Sequence, residues 1–261
     1  AGKAITMGNQ LTFTGGGELD NGLNVSLSFV LDHADNDAQG FDSHSITVSS
    51  DALGSITIAG DGAGNAQSAL DTTAAGDIWN NAFKAGATDT LYIAMAGSDA
   101  SDNSVNYTLP TLVDGLSISA SYSAGGMYTN STTAFGATYT GVEGLSVSYG
   151  VGENGSTTTT TSGDVTTMKA SYAIGSFTAA VSNTESDKDS TGTDEEMDSW
   201  NLSYTVSENL SISYGEETHE TSGQTVDEEF DAISVSYTTG GMTLTAANYE
   251  ASGIANTTGE A

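Results

Sequence analysis

From Gly115 the chain reads GLSISASYS, so that Leu116, Ile118, Ala120 and Tyr122 fall on one side and Ser117, Ser119, Ser121 and Ser123 on the other. A period of two is the signature of a β-strand with one apolar face. The same device recurs in GLNVSLSFVL from Gly22, GLSVSYG from Gly144, NLSISYG from Asn209 and AISVSYT from Ala232, with weaker copies at Ser45, Ser55, Lys169, Trp200 and Met242. Together these segments predict about fourteen strands, with cores near 9–18, 22–31, 43–50, 53–60, 102–109, 115–124, 132–140, 144–152, 164–173, 175–184, 196–206, 208–218, 227–238 and 241–250. The connections alternate in length. Short turns fall at Asp20-Asn21, Asp51-Ala52, Thr111 to Asp114, Val142-Glu143, Ile174-Gly175, Ser207-Glu208 and Thr239-Gly240, and longer polar loops at 32–42, 61–101, 125–131, 153–163, 185–195 and 219–226. One end of the sheet is trimmed and the other elaborated.

Two-sheet sandwiches also alternate, but their apolar faces meet across a dry core and their outer faces carry charge. Here the second face is built of Ser, Thr, Gly and Asn, with almost no Lys, Glu or Arg at mid-strand. A membrane barrel accounts for both faces: apolar side chains meet lipid, small polar ones meet a watery lumen, and closure pairs every backbone group. Strands of about ten residues, tilted, match the bilayer thickness. The fold class expected is therefore an all-β antiparallel transmembrane barrel.

The aromatic residues give an independent test. Tyr107, Tyr139, Tyr172, Tyr204 and Tyr237 each stand shortly before a short turn, whereas Phe29, Tyr122, Tyr149, Tyr214 and Tyr249 stand well after one. On alternating antiparallel strands this sorting makes two belts at two heights, as expected for aromatic rings at the two membrane interfaces. In a sandwich the same tyrosines would be core residues in need of buried partners.

Residues 61–101 interrupt the regular train of strands. A connection this long inside a compact domain is usually functional, and it is expected to fold into the pore. The alternative is an extra strand near Thr90 to Ala96 with unstructured flanks. The segment carries Asp61, Asp71, Asp77, Asp89 and Asp99 against a single lysine, Lys84.

Composition narrows the class further. The 261 residues form one domain, with no linker, one proline and glycine spread along the whole length. The absence of cysteine excludes disulfides, thiol catalysis and Cys-ligated metals. Four lysines, no arginine and 34 acidic residues give a formal charge of −30, which repels nucleic acid and favours cationic partners. An acid-rich surface that merely solubilises the chain is the competing explanation of that charge. No apolar run approaches the ~20 residues of a membrane helix, and no leader opens the sequence.

The segments ITMGNQLTFTGGGELDNGLNVSLSFVLD (5–32), NYTLPTLVDGLSISASYS (106–123), FGATYTGVEGLSVSYGVGE (135–153), MKASYAIGSFTAAVS, WNLSYTVSENLSISYG and ISVSYTTGGMTLTAANYE resemble the general porins of Gram-negative bacteria, especially those of marine alphaproteobacteria. The likeness covers nearly the whole chain. It implies a sixteen-stranded barrel in the Gram-negative outer membrane, surrounded by lipid, usually a homotrimer, whose third external loop folds inward as a constriction. Residues 61–101 fall where that loop belongs. Two departures stand out: the polar opening at 1–8 with the ending SGIANTTGEA, and the absence of arginine to face an acidic constriction. The expectation is a chain lacking one strand at each end; a closed fourteen-stranded barrel is the alternative.

The resulting function is passive diffusion of small hydrophilic solutes and cations through a water-filled lumen, with cation selectivity set by the loop. Asp61, Asp71, Asp77 and Asp89 are the expected constriction charges, and Trp79 and Phe83 are expected to anchor a short helical turn, DIWNNAF, against the wall. No catalytic constellation is present: His33, His44 and His219 lie in or beside different loops without metal-ligand spacing and are expected to be exposed. No cofactor is called for beyond Ca²⁺ in acidic outer loops, where Asp32, Asp35, Asp37 and Asp42 cluster as oxygen ligands, against the alternative of a simply solvated loop. A secreted, Ca²⁺-binding acidic adhesin is the competing functional class.

Overall fold

In the computed structural model the described residues are 10–31, 41–61, 64–70, 72–80, 98, 103–125, 130–155, 162–189 and 193–254. Fourteen strands form one antiparallel sheet in sequence order. The first seven are β1 (Leu11–Glu18), β2 (Asn24–Leu31), β3 (Phe41–Ser50), β4 (Gly54–Asp61), β5 (Ser104–Thr108), β6 (Leu116–Ser123) and β7 (Thr132–Tyr139). The rest are β8 (Leu145–Asn154), β9 (Gly163–Ile174), β10 (Phe177–Lys188), β11 (Glu195–Ser207), β12 (Leu210–Thr221), β13 (Glu228–Thr239) and β14 (Met242–Ser252). All fourteen expected segments are strands. Among the described residues β1 and β14 each pair on one side only, and no helix is long and apolar enough to cross a membrane.

The period-two pattern sets the two faces. Leu27, Ile46, Ile58, Val105, Tyr122, Tyr149, Val181 and Ile233 are exposed large apolar side chains on the outward face. Their register partners keep the phase, as in Ile46 opposite Ile58, Ile58 opposite Val105 and Val105 opposite Tyr122. Short turns join the strands at one end, where glycine does a specific task. Gly115 and Gly144 adopt φ of 75° and 77°, and a Cβ on either would overlap the backbone of the adjacent hairpin, at Gly141 and Ala173 respectively. The recurrent Gly-Leu-Ser phrase is thus a turn exit that also needs close approach.

Three expectations change. Strands β10 to β12 run further toward the loop end than the alternation suggested, because acidic stretches such as TESDK continue the period of two. Glu185 and Asp187 point outward while Thr184 and Ser186 are buried on the inner face. Tyr249 does not join the outer aromatic belt: it pairs with Ala232, on the inner face, so its strand position is one residue out of phase with that belt. His219 is not an exposed loop residue. It lies on β12, fully buried, with Nδ1 3.3 Å from Oε2 of the equally buried Glu228. His44 is exposed on β3, and His33 lies outside the described residues.

The other aromatic positions hold. Phe177 stacks on Tyr204 at 4.6 Å near the short turns, and Trp200 meets Tyr214 at 5.5 Å nearer the loop end. The hydroxyl of Tyr107 donates to the carbonyl of Leu53 at 2.8 Å, tying that ring to a neighbouring short turn.

Candidate functional site

The segment after β4 lies against the inner face. Its backbone and side chains reach the polar face of the wall strand after strand, which requires that face to be concave around it. The Asn106 side-chain amide on β5 donates to the carbonyl of Gly64 at 3.1 Å. Next, the amide of Ala66 donates to Ser121 Oγ on β6 at 2.6 Å, and Gln67 Nε2 donates to Thr167 Oγ1 on β9 at 2.9 Å. Further along, Lys169 Nζ on β9 donates to the carbonyl of Thr73 at 2.7 Å, and Thr184 Oγ1 on β10 donates to that of Thr72 at 2.9 Å. The amide of Ala74 donates to Ser199 Oγ on β11 at 2.6 Å, and the amide of Trp79 to Glu217 Oε2 on β12 at 2.8 Å.

Glycines make room where hydroxyls do not bond. A Cβ at Gly136 on β7 would overlap the carbonyl of Ala66, one at Gly152 on β8 the side chain of Ser98, one at Gly150 the side chain of Leu70, and one at Gly215 on β12 the methyl of Ala75. Glycine inside a strand costs pairing stability and marks a place where another chain segment comes close. These four positions form the bare part of the track.

The loop is also tied to itself. Asn65 Oδ1 accepts from the amides of Gln67 and Ser68 at 2.9 and 2.7 Å, while its Nδ2 donates to Ser98 Oγ at 2.9 Å. Ser98 thereby returns beside the outgoing limb. A 3-10 turn, Ile78–Asn80, ends the described part of that limb. Ile78 is buried in an apolar cluster with Phe230, Ala251 and Ile254, with Ala75, Trp79 and Ala232 packed around it. Full burial of one such side chain contributes about 1.5–3 kcal/mol, so the turn has an apolar anchor in an otherwise polar wall.

The sequence-derived site residues are distributed as follows. Asp77 is half-buried at φ 54°, just before the turn, with its amide donating to Thr73 Oγ1 at 3.0 Å and its carboxylate accepting from that hydroxyl at 3.2 Å. Trp79 stands in the turn against the cluster. Asp61 ends β4, in register with His44. Asp71, Asp89 and Phe83 lie outside the described residues, as do Asp32, Asp35 and Asp37 and the segment Thr90 to Ala96. Asp42 is on β3. Among the described residues no group of three or more His, Asp or Glu is placed to hold a metal ion. Acidic residues do gather at the loop ends of β10 to β12, where Glu185, Asp194, Glu196, Glu220 and Asp227 line a cavity of ≈ 350 Å³.

Sequence reasoning treated the whole Ser/Thr face as wetted lumen and so missed the wall side of this contact. Thr167 and Thr184 are fully buried, and Ser121, Ser182 and Ser199 nearly so, because the loop covers them. Neither Lys169 nor Glu217 was read as a contact to the loop. A signal was available: Val165, Met197 and Phe230 are apolar residues in phase with the polar face, and each is buried. An apolar side chain out of phase with its strand marks a lumen wall that is not wet.

A polar inner face crossed by a long inward loop, inside an antiparallel sheet with an apolar outside, is the arrangement a diffusion pore requires. The profile of the Gram-negative porin family matches residues 1–257. The chain belongs to the Gram-negative porin family. Solved structures agree in fold. An anion-selective porin from Comamonas acidovorans is similar at TM-score 0.62 and 15% identity, covering 96% of this chain and 80% of that one. OmpF of Salmonella typhi, in a complex with daunomycin, is similar at TM-score 0.61 and 12% identity, covering 93% and 81%. OmpT of Vibrio cholerae, in a trimer form, is similar at TM-score 0.56 and 16% identity, covering 95% and 83%. Curated protein sequences offer no significant match to the chain. This porin is thus an outer-membrane channel protein.

Proposed function

We propose that this porin is a cation-selective passive diffusion channel for small hydrophilic solutes, with the segment 61–101 as its constriction and with three copies assembling in the outer membrane. The observation that carries the reading is the attachment of residues 64–80 to the inner wall from β5 to β14. A segment so held narrows the lumen, and the narrowest cross-section and its wall charge set size and sign selectivity.

The sign follows from the balance of fixed charge. Acidic residues outnumber lysines 34 to 4. Of the lysines, Lys169 already donates to the carbonyl of Thr73, and Lys188 stands at the end of β10. The trimer is proposed on the likeness to the Vibrio cholerae protein in its trimer form.

The experiment is insertion of the purified porin into a planar bilayer under a KCl gradient. Stepwise conductance increments with a reversal potential of the K⁺ sign support the reading. Absence of increments, or a reversal potential of the Cl⁻ sign in dilute salt, overturns it.

A further inference from the structure

Four inward side chains on successive strands stand in one cross-strand row: Lys169 on β9 pairs with Ser182 on β10, Ser182 with Ser199 on β11, and Ser199 with Glu217 on β12. Each of the four bonds to the backbone of the inner loop. Lys169 Nζ donates to the carbonyl of Thr73 at 2.7 Å, and Ser182 Oγ donates to the carbonyl of Thr72 at 3.4 Å. Ser199 Oγ accepts from the amide of Ala74 at 2.6 Å, and Glu217 Oε2 accepts from the amide of Trp79 at 2.8 Å.

The row is ordered by polarity. Its β9 and β10 members are donors facing carbonyls, and its β11 and β12 members are acceptors facing amides. Ser182 and Ser199 also bond each other at 2.7 Å. Since the Ser182 proton is already given to Thr72, the Ser199 hydroxyl must donate to Ser182. A single directed chain then runs from the amide of Ala74 through two hydroxyls to the carbonyl of Thr72. The charged members sit at the two ends of the row, where hydrogen bonds to ionised groups are about twice as strong as neutral ones. Ser182, Ser199 and Glu217 are all more than nine-tenths buried, so water does not compete for these bonds.

We propose that the row Lys169–Ser182–Ser199–Glu217 is the device that fixes how far the constriction loop stands from the wall, with Lys169 and Glu217 as positioning residues for the pore's free cross-section. The proposal rests on the porin reading. Because Thr72 is engaged through its carbonyl, a substitution such as Thr72→Ala leaves the aperture unchanged. Removing a terminal member frees that limb to leave the wall.

The test uses the whole porin reconstituted in liposomes and follows swelling in neutral sugars of increasing size, since neutral solutes report aperture without reporting charge. Lys169→Met and Glu217→Ala each remove a terminal bond. The expected result is an altered ratio of large-sugar to small-sugar permeation, normalised to folded protein, in both variants. Lys169→Arg keeps a donor and Glu217→Gln keeps an acceptor, and both are expected to restore the wild-type ratio. A variant that only destabilised the barrel would lower the amount of folded channel and leave the ratio unchanged. If Glu217→Ala does not assemble, Lys169→Met decides alone, its long apolar side chain leaving the wall filled. Wild-type liposomes that admit no sugar overturn the porin reading itself. Wild-type liposomes that admit sugars, with the same size ratio in Lys169→Met, overturn the row and leave the porin reading intact.

Discussion

Gly136 on β7 stands where the carbonyl of Ala66 meets the wall, so closely that a Cβ at position 136 would overlap that oxygen. The neighbouring wall residue, Gly150 on β8, pairs with Gly136 and faces Leu70 in the same way. Two adjacent glycines thus form a shallow bed for the outgoing limb of the loop. The atom that Gly136 would meet is backbone, which cannot swing aside as a flexible side chain does. Gly136→Ala is therefore expected to destabilise the docked loop, with overpacking costs on the order of 1–3 kcal/mol. Gly17→Ala, where a Cβ meets nothing within 4 Å, is the control. Limited proteolysis of the folded porin checks the pair: faster cleavage within 64–80 in the Gly136 variant alone is the expected outcome, and equal rates would show that the bed is not tight.

The two faces of the wall should respond oppositely to charge. Val147 and Val235 point outward and are exposed, whereas Ser213 points inward and bonds Ser234 at 2.7 Å. Arginine on the lipid face near the bilayer midplane costs about 2–4 kcal/mol, and less toward the interfaces. Val147→Arg and Val235→Arg are expected to lower the yield of folded, heat-modifiable porin, while Ser213→Arg assembles normally. Equal loss in all three would mean that the alternation does not separate lipid from lumen.

That alternation explains how much of the fold was legible. The strands could be found because a side-chain period of two survives in nearly every segment, and the turns because Gly and Asn-Gly type sequences punctuate them. The loop-side ends of β10 to β12 were less legible, since acidic residues facing headgroups and water look like loop even when the backbone is still paired. At the site the difficulty was of another kind. Ser121, Thr167, Thr184 and Ser199 look like lumen lining whether water or a loop covers them, because a hydroxyl satisfies either partner. What occupies the lumen depends on contacts more than fifty residues apart in sequence, such as Ala66 to Ser121 and Trp79 to Glu217. Periodicity does not carry that information. The out-of-phase Phe230 does, because an aromatic ring on a polar face has to be covered by something.

The alternation of short and long connections fixes a topology that labelling can check. Position 208 lies in the short β11–β12 turn and position 224 in the longer β12–β13 connection, at opposite ends of β12. The chain has no cysteine, so Glu208→Cys and Gln224→Cys each introduce a single thiol. A membrane-impermeant maleimide added to intact cells is expected to label position 224 and to spare position 208. Labelling of both, or of 208 alone, would reverse or break the assignment of loops to the outer side.

The proposed cation selectivity rests on charges that lack counterparts. Asp77 is held beside the 3-10 turn by its bonds with Thr73, and Asp71 and Asp89 belong to the same acidic segment. Among the charges on that segment only Lys84 is basic. On the proposed reading a low-dielectric wall focuses the resulting potential, and cations are expected to accumulate in the lumen while small anions are excluded. Screening limits the effect: the Debye length falls from about 10 Å at 0.1 M to about 3 Å at 1 M salt. The reversal potential in a KCl gradient is therefore expected to approach zero as mean salt rises toward molar, and to shrink in dilute salt when Asp71, Asp77 and Asp89 are changed together to Asn. The neutral replacement keeps side-chain volume, and asparagine can still accept from Thr73, so a shift traces to charge rather than to a collapsed loop. An unchanged reversal potential in the triple variant would show that the source of selectivity lies outside Asp71, Asp77 and Asp89.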